Sequence, residues 1–537
     1  MPESPDKRRL WALLLAYVFL LLLPAGLMPL MESTEGRYGE IAWEMVVRGN
    51  YLEPYFNGIK HFHKPPLTYW SVAAGYQLFG IGNFGARFFG VLAAGLAVLY
   101  LFRLAQLFLP AGRALQAALI FATSILFLAV ARIVATDIYL TCFTVMAQFY
   151  LFRRLYGQGR RSDAPLFGLA LGLGFLAKGP IIFLFTLLPF FLAKTFDRSH
   201  RRVFSWRETA LGTVVFAVVA LPWYLAVMIK NPGLLHYFVK VQTVDRVASN
   251  HFGRSEPLWF FVYVFPATFL PWIFFFLRGV GGLQKLVRRQ RLLLLYLLAP
   301  LVVFTLAQSK QPTYILPFYG VAAVFTAAAL EHFAMPRLRT LAVLLLLPVA
   351  LAPAVSGFVY PPVHDLRWWL VLTALPGLWL AGRALRARHG PGLVPWAAAV
   401  LLFFATVGYG LASIAAPQMR GYEQMAAAID RLDPQRQEDL LVYRDFLPSL
   451  SLYRHRLAAS AYGMEREPLF QDDDSYREYY LPTGAALQSY LALRPKLFVV
   501  LREHSRDDFE KESGYHCTTV YKQRKHTALH CRRNAGG

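Results

Sequence analysis

Cysteine and negative charge are what this sequence has least of. Three cysteines in 537 residues are too few for a disulfide-stapled scaffold. Charged residues make up 16% of the chain against 56% hydrophobic, with a mean hydropathy of +0.40, whereas a soluble chain of this size carries more charge. Asp and Glu number 32 against 55 Lys and Arg. P-loop, GxGxxG, GxSxG and HExxH patterns are all missing, which argues against an ATP-driven pump and a soluble nucleotide-sugar enzyme. Any activated donor then comes from the bilayer. No recognition-helix, zinc-finger or RNA-binding signature accompanies the net charge of +23, so no nucleic-acid partner is expected.

What is there instead is a series of apolar runs long enough to cross hydrocarbon as helices. The predicted spans are 11–30, 85–109, 114–131, 136–152, 165–177, 180–195, 208–228, 258–277, 292–308, 313–332, 340–359, 368–384 and 393–415, about thirteen in all. Lys7-Arg8-Arg9 precedes a first run too long for a signal peptide and without a small-x-small cleavage site, so it reads as helix one. With that cluster in the cytoplasm, alternate loops hold Arg103 and Arg113; Arg153, Arg154, Arg160 and Arg161; Lys194, Arg198, Arg201, Arg202 and Arg207; Arg278, Lys285, Arg288, Arg289 and Arg291; Arg337 and Arg339; and Arg383, Arg386 and Arg388. The outside loops after spans three, five, nine and eleven carry about one Lys or Arg apiece, the pattern that sets membrane orientation. The expected fold class is an all-α polytopic membrane protein (residues 1–416, juxtamembrane helices in 31–84) with a small external α/β domain (417–537).

The outer side collects the loop 31–84, the Asp137 junction, the Lys178 turn and the loop 229–257. Tyr38–Val47 is amphipathic and predicts a helix lying flat in the interface, with a short structural connector as the alternative. In the tail, Cys517 and Cys531 flank the polar turn Lys522–His526, either as a disulfide closing a hairpin or as two free thiols. Cys142 falls inside a span and reads as packing.

The outer acids are Glu32, Glu35, Glu40, Glu53, Asp137, Asp245, Glu256 and Asp365, accompanied by Arg37, Tyr38, Lys60, His61, His63, Lys64, Tyr69, Lys178, Lys310 and Tyr314. Carboxylates at a membrane edge are costly to desolvate and mark a site. Lysines beside them suit a phosphorylated substrate, as point charges on its phosphate. Each has a duller reading: Asp137 as a helix cap, Lys178 before Gly-Pro as a snorkelling end. His61 and His63 lack a third ligand nearby, so no metal is assigned; a divalent ion as cofactor has no support.

Four stretches carry a resemblance. They are Thr34-Glu35-Gly36-Arg37-Tyr38-Gly39-Glu40, with Asn57-Gly58 and His63-Lys64-Pro65-Pro66 ahead of Tyr69-Trp70; Arg132 with Thr136-Asp137; Lys178-Gly179-Pro180; and Ser309-Lys310 with Tyr314 and Pro317. Together they resemble the GT-C type polyprenyl-phosphate-sugar glycosyltransferases, in particular the bacterial lipid A aminoarabinose transferases, relatives of the protein O-mannosyltransferases. The family often reads Asp-Glu-x-Arg-Tyr where this chain has Thr34-Glu35, so the first carboxylate is missing or its task falls to Glu32 or Glu35. The family's Glu-Lys before Pro is here His63-Lys64.

The resemblance implies inverting transfer of an aminosugar from undecaprenyl phosphate to lipid A phosphate at the outer face of the bacterial inner membrane, with membrane lipids around it. Fewer negative charges at the cell surface then give resistance to polymyxin. It implies Asp137, Glu35 and Glu32 as the acidic groups, Arg37, Lys64, Lys178 and Lys310 on phosphates, and Tyr38, His63, Tyr69, Arg132 and Tyr314 around the cavity. A protein, O-antigen or other glycolipid acceptor is the neighbouring alternative. A polyprenyl-lipid transporter is the alternative of another class; it predicts inverted repeats and mid-helix acids, and the sequence shows neither.

Overall fold

The structure, a computed structural model, describes residues 5–32, 34–196, 203–244, 256–281, 288–330, 335–386, 390–416, 419–463 and 469–533. Asp245 and the loop cations Arg198, Arg201, Arg202, Lys285 and Arg388 lie outside the described residues. The chain forms two compact units, one of residues 1–24 with 90–411, the other of residues 25–89 with 412–537. The first outer loop therefore groups by contact with the tail, a division that differs from a linear boundary at 416/417.

The first unit is helical, with no strand among its described residues. The predicted spans 136–152, 165–177 and 208–228 are the helices Thr136–Leu155, Asp163–Lys178 and Trp206–Lys230. The second of these packs against both others. Its approach to Trp206–Lys230 needs glycine: a Cβ on Gly168 would sit 2.0 Å from the Gly212 carbonyl oxygen. At the ends of these helices away from Lys178, Arg153 pairs with Asp163, and Arg154 with Glu208 at 2.8 Å. Beyond Lys178 the chain turns at Gly179, whose φ of 75° suits a residue without Cβ, and Pro180 cannot continue the preceding helix.

Two predicted spans are broken. The run 114–131 forms Ala111–Ala122 and Ile125–Val130, because the hydroxyls of Thr123 and Ser124 bond back to the carbonyls of Leu119 and Phe121 at 2.6 and 2.9 Å, in competition with the helical ladder. The run 258–277 forms Phe260–Thr268 and Ile273–Val280, bent by 119° around a link containing Pro271, which has no N–H to give. Among the described residues five helices are long and apolar enough to cross a membrane, six if the bent pair is one span.

In the second unit, helix Thr34–Arg48 is the predicted amphipathic segment, but protein covers it on both faces. Ile41, Ala42 and Met45 are buried, and so are Glu40 and Glu44 beside them and Trp43 on the far side. The two carboxylates accept the backbone N–H groups of Asn57 (2.9 Å) and Gly58 (2.8 Å). These residues form the turn, at φ 54° and 79°, of a hairpin of β1 (Tyr55–Phe56) and β2 (Ile59–Lys60). Asn-Gly is the pair such a turn favours. Its acids, unlike those of a helix lying on lipid, serve protein backbone.

The tail folds as an α/β sheet. Its strands are β3 (Leu440–Tyr443), β4 (Ala459–Ala461), β5 (Tyr480–Leu481), β6 (Lys496–Arg502), β7 (Tyr515–Gln523) and β8 (His526–Arg533), in the order β5-β4-β3-β6-β8-β7. The first four run parallel, and β8 pairs antiparallel with both β6 and β7. Alternate residues of β3 and β6 feed two apolar clusters, one with Leu441 and Val499, the other with Leu440 and Val500, so both faces are buried. Cys517 and Cys531 are register partners on β7 and β8 and are bonded. That bond closes a stretch of 14 residues, worth about 3 kcal/mol by loop-closure entropy. Cys517→Ser with Cys531→Ser should therefore lower the melting temperature of the purified protein, as should dithiothreitol on the wild type but not on the variant.

Candidate active site

Asp137 is the second residue of helix Thr136–Leu155 and Lys178 the last of helix Asp163–Lys178. The Lys178 ammonium donates to Asp137 Oδ1 at 2.6 Å, with both side chains about nine-tenths buried (8% and 11% exposed). An acid at a helix start and a cation at a helix end each also complement the backbone dipole. The same ammonium stands 4.8 Å from the centre of the Tyr314 ring, which can hold it by cation–π attraction. Tyr314 lies on the 3-10 helix Pro312–Phe318, which packs against Thr136–Leu155. Three residues from separate predicted stretches are thus brought together.

Lys310, just before that 3-10 helix, is buried and donates to the Glu256 carbonyl at 2.8 Å. Arg132 is buried, donates to Thr406 Oγ1 at 3.1 Å and lies 5.7 Å from the centre of the Tyr409 ring. Thr406 and Tyr409 sit in an apolar run, where only the fold reveals a function for their hydroxyls.

The first-loop candidates belong to the second unit. Both Glu35 oxygens accept from Arg87, at 2.9 Å each, and Arg87 also donates to the carbonyls of Ala25, Met28 and Pro29. Glu35 is accordingly one end of a buried bidentate strap. Arg87 went unmarked in the sequence because it stands inside the run 85–109. Glu32 accepts the Ser449 N–H at 2.7 Å, at the start of helix Pro448–Arg454, and burial raises its carboxyl to about 7. Glu40 is also pushed up, by burial and then by Glu44 beside it.

Arg37 lies against the ring of Tyr38, which packs at 5.4 Å on Tyr69. The His61 and His63 rings are 3.9 Å apart. Burial, then the positive field of His63, Arg37 and Lys64, holds His61 well below the usual histidine range and so neutral. Lys60 is paired to Glu53 at 2.8 Å and Asp472 at 2.6 Å. Among the described residues no three His, Cys, Asp or Glu gather as a metal site.

Residues 63–225 match the family described as dolichyl-phosphate-mannose-protein mannosyltransferase. The undecaprenyl phosphate-alpha-4-amino-4-deoxy-L-arabinose arabinosyl transferase of Serratia proteamaculans is 33% identical over 75% of this chain and 76% of its own. The protein of that name from Aeromonas hydrophila is also 33% identical, with the alignment covering 59% of each. Among solved structures, ArnT from Cupriavidus metallidurans bound to undecaprenyl phosphate superposes with a TM-score of 0.82 at 19% identity, over 97% of both chains. The fold and the family match define the class: a multi-span helical membrane protein of the GT-C type, with a C-terminal sheet domain. Within that class, the chain belongs to the family of undecaprenyl phosphate-alpha-4-amino-4-deoxy-L-arabinose arabinosyl transferases.

The raised Glu32 carboxyl has a pH consequence. It titrates near 4.5 when unfolded and about 7 when folded, so the fold binds the proton more tightly. That contribution to stability is complete below the unfolded value and fades as pH rises through about 7. From about pH 6 to about pH 8 the loss is roughly 1 kcal/mol. Glu32→Gln should flatten the decline in melting temperature over that interval.

Proposed function

We propose that the protein transfers 4-amino-4-deoxy-L-arabinose from undecaprenyl phosphate to a phosphate of lipid A, at the outer face of the bacterial inner membrane. In this reading the N-terminus is cytoplasmic, about thirteen segments cross the bilayer and the sheet domain is periplasmic. The loop-charge pattern supports that orientation. Addition of a cationic sugar removes negative charge from the cell surface and weakens binding of polymyxin.

The observation that carries the reading is the Asp137–Lys178 pair beside Tyr314. Before substrate arrives, each charge is satisfied by the other. The donor brings both complements, an ammonium on the sugar and a phosphate on the lipid. Asp137 takes the sugar amine, and Lys178 turns to the phosphate. Lys310 keeps further N–H donors beyond the one spent on Glu256 and adds positive charge for phosphate. An oxygen of the acceptor phosphate attacks the anomeric carbon, the bond from that carbon to the undecaprenyl phosphate oxygen breaks, and the configuration inverts. The acceptor is already anionic, so no base has to remove a proton. Positioning and charge stabilisation supply the rate. Glu35, occupied by Arg87, and Glu32, occupied by Ser449, hold the first loop in place.

The match of residues 63–225 to a family named for protein acceptors favours a second acceptor class. The relatives aligned over three quarters of the chain bear the arabinosyl name, which supports the aminoarabinose donor, and the lipid A acceptor follows from the resemblance of the four sequence stretches. Purified protein with undecaprenyl-phosphate aminoarabinose and lipid A should give a product heavier by one aminopentose in mass spectra. Asp137→Asn should reduce the rate by about 10²-fold or more, with the melting temperature measured in parallel because an unpaired Lys178 costs stability. Lys178→Arg keeps the charge and should retain more activity than Lys178→Met. Product formed at the wild-type rate by a folded Asp137→Asn variant would remove Asp137 from the reaction, and transfer to a peptide but not to lipid A would replace the acceptor.

A further inference from the structure

A cavity of about 250 Å³ in the C-terminal domain is lined by Arg420, Tyr422, Arg502, Arg524, Lys525 and His526. All six fall within residues 412–537, and none belongs to the residues assigned to sugar transfer. The wall is cationic and the floor is a fixed hydrogen-bonded chain. Asp445 accepts from Arg502 at 2.8 Å and lies 3.1 Å from His526 Nε2, and the other ring nitrogen of His526 is 2.8 Å from the Tyr422 hydroxyl. Tyr422 and His526 are buried, while the cations form an accessible rim.

Counting charge decides what such a cavity takes. Asp445 offsets Arg502, and no carboxylate lines the wall. Among the described residues Arg420, Arg524 and Lys525 form no ion pair, although Glu32 lies within the field of Arg420. Three cations around one concave space repel one another unless an anion sits among them. Arg524 and Lys525 stand at the β7–β8 turn, where Arg524 holds φ 55°, a conformation that Asn or Gly adopts with less strain. The Asp445–His526–Tyr422 chain fixes the floor beneath the exposed cations that line the cavity.

We propose that this cavity is a binding site for a phosphate monoester, with guanidinium forks on the oxygens and Tyr422 and His526 beneath the group that carries it. The volume admits a phosphate together with part of an attached sugar. Both a phosphorylated glycolipid headgroup and free phosphate present this chemistry. The site stands whether or not arabinosyl transfer is the reaction, since binding is read without turnover.

The test uses the full-length protein in phosphatidylcholine nanodiscs, titrated calorimetrically with glucosamine 1-phosphate and separately with inorganic phosphate. Saturable binding of glucosamine 1-phosphate, weakened at least about tenfold in an Arg420→Gln, Lys525→Gln double variant and unchanged in Lys511→Gln, supports the site. Both substituted side chains are exposed, and an unaltered melting temperature shows that the variant is folded. Tighter binding of the sugar phosphate than of inorganic phosphate assigns the headgroup as ligand; equal binding assigns free phosphate. Absence of saturable binding by either, or equal affinity in wild type and double variant, overturns the proposal.

Discussion

A charge buried in an apolar helical protein has to be met by an opposite charge, and the Asp137–Lys178 contact at 2.6 Å is where this chain meets that requirement at its candidate site. The constraint reaches outward from there. Asp137 must open its helix and Lys178 must close the next, so the chain between them makes a short return, and Gly179-Pro180 ends the second helix just past the ammonium. The 3-10 helix carrying Tyr314 then lies against the first of these helices, with its ring beside the cation. Breaking such a pair from one side costs about 3–5 kcal/mol because the remaining charge is stranded. A mutual pair is therefore both a structural tie and a store of two opposite charges that a zwitterionic substrate can exchange.

The same rule organises the second unit for a different end. Glu35 with Arg87, Lys60 with Glu53 and Asp472, and Glu40 and Glu44 on the Asn57-Gly58 turn are buried polar groups spent on holding backbone and loops. Their ties join positions far apart in the sequence: Lys60 reaches Asp472, and Glu32 reaches Ser449. The first loop and the tail thereby form one compact body, on which the sheet domain carries its own cationic cavity.

This pattern explains what the sequence made legible. Asp137 stood out because one acid interrupts an apolar run, and Lys178 because Gly-Pro follows it. Most helices could be read from apolar periodicity, including Thr136–Leu155 and Asp163–Lys178. The breaks at Thr123-Ser124 and before Pro271 were not read, since hydroxyl back-bonding and a local bend leave hydropathy unchanged. Arg87, Thr406 and Tyr409 were passed over because each sits inside a run counted as membrane-spanning. The partners of Glu32 and Glu35 were equally hidden, because tertiary contact sets them: a carboxylate in a loop looks the same in sequence whatever it faces.

The central claim is that donor binding exchanges the partners of Asp137 and Lys178. An experimental structure of the complex with undecaprenyl-phosphate aminoarabinose tests it most directly. The account predicts the Lys178 ammonium within hydrogen-bond reach of the donor phosphate and the sugar amine on Asp137, with the direct contact between the two side chains lost. A donor bound elsewhere, with Lys178 still seated on Asp137, would contradict it.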